Sequence, residues 1–294
     1  MPLRVEKNLP AISSLKEKGI YLLGKNEEFP DCSLPRLRVG ILNLMPLKEA
    51  TENDLLSVLD TEIFNIDIDF IETDTYRGSH TNHEHLDNFY IKWKDAKKVR
   101  YDGFIITGAP VEGIPFQDVT YWSELEEIMD YCRCNIKSTL YVCWGAQAGL
   151  YHFYGIGKKM MNSKLSGVYL HSILERVPLM TGLKDGFIVP HSRYTTVSKS
   201  DILKEPNLSI VSESKIAGVH CVMTDDGREI FVTGHSEYSL DTLEREYIRD
   251  IKKGLNPSVP ENYYLNDNPE LGIKADWSDD AKKIYTNWLK YYVS

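Results

Sequence analysis

"STLYVCWGAQAGLYHFYG", residues 138–155, joins an apolar run to a stretch of small and helix-forming residues, with a single cysteine at the seam. The residues before Cys143 read as a buried strand, and those after it run into a helix. A strand feeding straight into a helix is the repeating half-unit of a parallel α/β sheet. In open sheets of that kind ligands bind at the carboxyl ends of the strands, which is where Cys143 falls, presented rather than buried. A helix N-terminus favours negative charge and so the thiolate, the form of cysteine that attacks. The first amides of the helix, beginning with Trp144, are positioned to stabilise an oxyanion. Gly145, Ala146, Ala148 and Gly149 permit a tight turn and close packing there. Most free cysteines are small buried hydrophobes, and the local context balances that role against the catalytic one.

Working outward, short apolar runs and amphipathic stretches alternate from residue 37 onward. "RLRVGILNLM", "NIDIDFIE" and "YDGFIITG" read as strands, while "EATENDLLSVLD" and "VTYWSELEEIMDYCR" read as helices. Downstream, "IAGVHCVMTDDGREIFVTGH" predicts two strands joined by a tight turn at Asp226-Gly227, where glycine supplies the positive φ the turn needs. "LDTLEREYIRDIKKGL" is helical, and a loop rich in Pro, Asn and Asp leads to a final amphipathic helix in "DWSDDAKKIYTNWLKYYV". The expected fold is α/β, a mostly parallel central sheet flanked by helices. Its catalytic domain spans residues 37–252, with an N-terminal extension over 1–36 and a C-terminal loop and helix over 253–294 packed on the same domain.

The chain has 294 residues, 42% of them apolar, enough for a sizeable core. Thirty-four basic against 43 acidic residues leave a net charge of −9. That balance gives no general attraction to nucleic acid or to an anionic membrane surface. The basic run "KWKDAKKVR", residues 92–100, reads as a solvated helix end. Five scattered cysteines argue for free thiols in a reducing cytoplasm, and no apolar block has the length of a signal peptide or a membrane span.

A second chemical signal lies farther downstream. In "FVTGHSEY" an apolar strand ends at Gly234, and His235 and Glu237, two residues apart, project from one face of an extended segment. A histidine can deprotonate a cysteine and later serve as general base, while a carboxylate holds its tautomer. An H-x-E triplet alone is weak, but paired with the cysteine elbow it describes a Cys-His-Glu triad. "HTNHEH", with His80, His83 and His85, lacks the cysteines or carboxylates that would complete a metal site, and "CRC" at Cys132 and Cys134 lacks a second pair; no metal is expected.

"CWGAQAGLYHFYGI" followed by "GHSEY" resembles the class I glutamine amidotransferase-like superfamily, with its flavodoxin-like layering. "GILNLMPLKEATENDLL", "YDGFIITGAPVE", "KLSGVYLH", "PHSRYT", "GHSEY" and "REYIRD" are similar, in order and spacing, to the homoserine O-acyltransferases of methionine biosynthesis, over essentially the whole chain. The resemblance implies acyl transfer from coenzyme A to the hydroxyl of L-homoserine, with acyl-CoA as a co-substrate and no resident cofactor. It implies Cys143 as nucleophile, His235 as base and Glu237 as its partner. It further implies that Lys48 and the Trp144 amide stabilise the acyl carbonyl, and that Lys164, Ser192 and Arg249 contact the amino acid. Read alone, Lys48, Lys164 and Arg249 are ordinary solvated charges and Ser192 a loop hydroxyl. In the family a glycine at the acyl-selecting position goes with succinyl-CoA and a glutamate with acetyl-CoA. Alignment on "GAP" puts Glu112 there, with Gly113 beside it, so acetyl-CoA is the expected donor and succinyl-CoA the alternative. Two other readings are a glutaminase using the same triad and a catalytically dead binding protein. A homodimer is compatible with a biosynthetic enzyme of this kind, although the sequence sets no oligomeric state.

Overall fold

In a computed structural model that describes residues 3–78 and 81–294, twelve strands form one sheet. In chain order they are β1 (Leu3–Val5), β2 (Leu22–Gly24), β3 (Arg36–Leu42), β4 (Asn65–Glu72), β5 (Tyr90–Lys92), β6 (Gly103–Ile106), β7 (Ser138–Val142), β8 (Lys158–Ile173), β9 (Phe187–Val197), β10 (Leu208–Ser214), β11 (Gly218–Thr224) and β12 (Glu229–Val232). The helices are α1 (Ala11–Lys16), α2 (Lys48–Leu59), α3 (His83–Phe89), α4 (Trp93–Ala96), α5 (Trp122–Asn135), α6 (Trp144–Tyr154), α7 (Lys199–Ile202), α8 (Thr242–Lys252) and α9 (Ser278–Trp288).

The strand order is β2-β1-β4-β3-β6-β7-β12-β11-β10-β8-β9, with β5 along the last residues of β4. From β2 to β12 neighbouring strands are parallel. From β12 to β9 they are antiparallel. The antiparallel half is larger than the single hairpin read from the sequence, because β8 and β9 pair over most of their length and carry Lys164 and Ser192.

Strand periodicity divides the core between the two faces of the sheet. Ile105, Leu140 and Ile230 face one way, packed with Leu55 and Leu59 of α2 and Ile284 and Trp288 of α9. Phe104, Ile106, Tyr141 and Phe231 face the other way, against Leu125, Ile128 and Met129 of α5 and Trp144 of α6. In β4 the alternating Asp67 and Asp69 are buried as well. Asp67 accepts from Arg4 Nε and Arg36 Nε, each at 2.7 Å, and Asp69 pairs with Arg38 at 2.7 Å and Lys25 at 2.8 Å. Buried carboxylates persist only when paired, and here two of the four cations, Arg4 and Lys25, come from the N-terminal segment. The lysines of the 92–100 run bind surface acids, Lys97 with Glu127 at 2.9 Å and Lys98 with Asp95 at 2.7 Å. Among the described residues no helix is long and apolar enough to cross a membrane.

The C-terminal segment clamps the far end of the sheet. Trp288 Nε1 donates to Ser138 Oγ at 3.0 Å, and Ser138 Oγ donates to the Gly227 carbonyl at 2.7 Å. Gly227 closes the β11–β12 turn with φ +67°, and a Cβ there would lie 2.1 Å from the Tyr292 ring. Gly227→Ala combines a left-handed backbone with a steric collision, so it is expected to lower unfolding free energy by about 2–4 kcal/mol. Urea denaturation followed by circular dichroism would measure this, and an unchanged midpoint would mean that the turn relaxes freely.

Candidate active site

Cys143 sits between β7 and α6 with φ +51° and ψ −114°, an unusual conformation for a residue other than glycine. Its N–H donates to the Val232 carbonyl of β12 at 2.7 Å, and its carbonyl accepts from Gln147 N at 3.1 Å. The first turn of α6 presses against the end of β6: a Cβ on Gly145 would lie 2.7 Å from the carbonyl oxygens of both Ile106 and Thr107. Glycine is therefore required by close approach. Trp144 opens the helix, so its N–H has no intrahelical acceptor and is available to an oxyanion. The expectation of a presented thiol needs correction. Cys143 is only 5% exposed, because the loop after β6 folds over it, with Gly108 so close that a Cβ would stand 3.3 Å from the cysteine Cβ.

His235 and Glu237 do not lie on an extended segment as the spacing predicts; the chain turns after β12, and Tyr238 N donates to the His235 carbonyl at 3.0 Å. The turn still brings the pair together, with His235 Nδ1 2.7 Å from Glu237 Oε1 and both side chains buried. With Nδ1 occupied by the carboxylate, Nε2 is the nitrogen left for proton transfer. Burial disfavours an imidazolium, but the negative charges of Cys143 and Glu237 outweigh it and hold His235 well above the usual histidine range. The Tyr238 ring stacks on His235 with centroids 4.1 Å apart. Behind Glu237, buried Asp54 of α2 accepts from Ser239 N at 3.0 Å and Ser239 Oγ at 2.6 Å, and burial pushes its carboxyl up to about 6.

Lys164, Ser192 and Arg249 converge through two carboxylates of α8 that sequence reasoning passed over. Ser192 Oγ donates to Glu246 Oε2. Lys164 Nζ lies 3.4 Å from Glu246 and 3.2 Å from Asp250, and Arg249 holds Asp250 at 2.7 Å. Tyr238 Oη reaches Glu246 Oε1 at 3.4 Å, linking this cluster to the ring stacked on His235. A signal for Glu246 and Asp250 was available, since residues i and i+4 share a helix face. Glu112 Oε1 accepts from Tyr194 N of β9 at 3.0 Å. Burial raises the Glu112 carboxyl, opposed by the Tyr194 N–H and by the nearby charges of His235 and Lys164. Gly113 is exposed, with open space where a Cβ would stand.

Lys48 starts α2, and its ammonium donates to the Asn43 carbonyl at 2.5 Å rather than to the Cys143 loop. Burial pushes it down to about 8 against the pull of Glu72 and Glu52. With Leu44, Glu72, Pro110 and Val111 it lines a cleft at the carboxyl ends of β3, β4 and β6. Arg193 also escaped sequence reasoning. It is fully buried, with donors on the carbonyls of Thr195 and Ala217 and on His191 Nδ1, and it lies within electrostatic reach of Cys143 and Glu112. Nothing in the isolated string "PHSRYT" distinguishes such an arginine from a surface one.

The histidines of "HTNHEH" are used separately. His85 Nε2 is 2.7 Å from Glu52, His83 is 3.4 Å from the Gly78 carbonyl, and His80 lies outside the described residues. Cys132 is buried and Cys134 exposed. Among the described residues no group of three or more histidine, cysteine or acidic side chains is arranged to hold a metal ion.

Similar structures include a glutamine amidotransferase from Thermotoga maritima (TM-score 0.56, 11% identity, 88% of this chain and 99% of that one). Another is a glutamine amidotransferase from Methylobacillus flagellatus (TM-score 0.53, 14% identity, 88% and 96%). At such identities the likeness concerns the fold, which is the class I glutamine amidotransferase-like one. Sequence relatives are much nearer. A homoserine O-acetyltransferase of Bacteroides fragilis is 46% identical over all of this chain and 96% of its own. Those of Lachnoclostridium phytofermentans and Bacillus cytotoxicus are 46% and 44% identical, over all of this chain and 97% of theirs. A family model described as homoserine O-succinyltransferase matches residues 2–294, and the chain belongs to that acyltransferase family.

Proposed function

We propose that this chain is a cytoplasmic L-homoserine O-acetyltransferase, which moves the acetyl group of acetyl-CoA to the homoserine hydroxyl through a thioester on Cys143, with no resident cofactor. The observation that carries the mechanism is the buried His235–Glu237 contact of 2.7 Å beside a cysteine held at φ +51° on a helix N-terminus. In the resting site His235 is an imidazolium facing the Cys143 thiolate. The thiolate attacks the acetyl carbonyl, the Trp144 N–H stabilises the oxyanion, and coenzyme A leaves with the proton from His235. Neutral His235 then takes the proton of the homoserine hydroxyl as its oxygen attacks the acetyl-enzyme, and collapse releases O-acetylhomoserine and restores the ion pair. Lys48 adds a positive charge to the acyl-binding side, and Arg249 with Lys164 receives the amino-acid carboxylate.

Two observations favour acetyl over succinyl. Glu112, not Gly113, hydrogen-bonds Tyr194 N of β9, and a partly buried carboxylate there repels the free carboxylate of a succinyl group. Relatives at 44–46% identity also bear the acetyltransferase name.

Incubating the protein with acetyl-CoA in the absence of homoserine should add one acetyl group by intact mass, and Cys143→Ala should abolish the adduct. If no donor leaves an adduct and glutamine is hydrolysed instead, the transferase reading fails. Glu112→Gly is expected to raise the succinyl-CoA to acetyl-CoA ratio of kcat/KM by roughly tenfold or more; an unchanged ratio would remove Glu112 from donor selection. Because Lys48 loses its proton as pH rises through about 8, Cys143 acetylation should slow above that pH. Lys48→Arg should move this alkaline limb upward by more than one pH unit, since a guanidinium stays charged. A limb that did not move would rule Lys48 out as its source.

A further inference from the structure

On the proposed cysteine mechanism, we infer that Tyr285 of the C-terminal helix α9 is a positioning residue for the reaction: its hydroxyl donates to the outer oxygen of Glu237, Oε2, and so fixes the carboxylate that orients His235. Glu237 has two oxygens to satisfy. Oε1 lies 2.7 Å from His235 Nδ1, whereas Oε2 is buried and has no hydrogen-bond partner among the described residues. Tyr285 Oη is likewise buried and without a partner among them. Buried polar atoms are rarely left alone, and a carboxylate oxygen that lacks a donor and a hydroxyl that lacks an acceptor complete each other.

The packing brings the two together. The turn that carries His235 and Glu237 is held from below by α2 and by the C-terminal segment: Asp54 accepts from Ser239 N and Oγ at 3.0 and 2.6 Å, and Trp277 Nε1, at the head of α9, donates to the Tyr238 carbonyl at 3.0 Å. Tyr285 lies about two helical turns beyond Trp277, on the buried side of α9 with Ala281, Ile284 and Trp288. Burial raises the proton affinity of its hydroxyl first, and the charge of Glu237 and the approach to its oxygens raise it further, so Tyr285 stays a protonated donor. The pair falls short of full hydrogen-bond geometry in the resting structure, and a small side-chain adjustment closes it. Asp54, whose charge also reaches Tyr285, already holds both donors of Ser239, which leaves Glu237 as the acceptor in need. With Oε2 fixed, Oε1 keeps its hold on Nδ1, and His235 keeps Nε2 aimed at the reacting atoms through both half-reactions.

The test is a double-mutant cycle on the full-length protein, read as kcat and KM for acetyl transfer to homoserine and as the rate of Cys143 acetylation by intact mass. Tyr285→Phe removes the hydroxyl and keeps the ring, so the fold should survive. It should lower kcat about tenfold or more, as expected for a hydrogen bond to a charged group, and leave the homoserine KM in place. In a Glu237→Ala background the same substitution should cost less than about twofold, because the oxygen it serves is gone. Ile284→Val, on the same side of α9 but without a polar group, is the packing control, and its effects should be equal in the two backgrounds. If Tyr285→Phe keeps the wild-type kcat, or behaves like Ile284→Val in the cycle, the role of Tyr285 alone is overturned. Failure of wild-type Cys143 to accept an acetyl group would instead overturn the transferase reading and this inference with it.

Discussion

The backbone at Cys143 is the constraint on which the site depends. A residue with a side chain does not adopt φ +51° unless its surroundings hold it there, at a cost of about 1–3 kcal/mol. Three features do so: the bond from Cys143 N to Val232, the contact of Gly145 with the last carbonyls of β6, and the helix that Trp144 begins. Each belongs to a different part of the parallel sheet, so the order β6-β7-β12 is as much a part of the site as the cysteine itself. Since β12 also leads into the turn that carries His235 and Glu237, one strand holds the strained backbone and places the histidine–carboxylate pair beside it.

Electrostatics then divide the site into zones. Cys143, His235 and Glu237 lie in a buried row in which the two outer groups raise the proton affinity of the imidazole between them. On one side Glu112 reaches from the loop after β6 to the Tyr194 N–H of β9. On the other, the Lys164–Glu246–Asp250–Arg249 cluster spans β8 and α8 with two cations against two carboxylates. Tyr238 joins the base to that second zone by stacking on one and hydrogen bonding to the other. The antiparallel half of the sheet therefore brings this charged cluster to a cysteine elbow built by the parallel half.

The elements with the strongest local signals appear in the structure where their patterns put them. Residues 138–154 form the strand and helix of the elbow, and Gly227 makes the turn between β11 and β12 with positive φ. These features depend on neighbours in the chain: alternation of apolar residues, a small residue at a close approach, a glycine in a turn. The pairing of β8 with β9 was not legible in the same way, because its register depends on residues far apart in the chain and includes a shift between Met160 and Leu165. The two aspartates of β4 mimic a solvent-facing alternation, and their burial becomes intelligible only when Arg4 and Lys25 arrive from the N-terminal segment.

By itself the sequence determined the α/β class, the cysteine at a strand-to-helix junction and a histidine with a carboxylate two residues on, because periodicity and chemical type are local properties. Only the tertiary structure decided that the thiol is buried, that His235 and Glu237 meet across a turn, that Glu112 rather than Gly113 is tied to β9, and that Glu246 stands among Ser192, Lys164 and Tyr238. Burial, charge pairing and proton affinity arise from the groups that surround a side chain, and those groups come from distant parts of the chain.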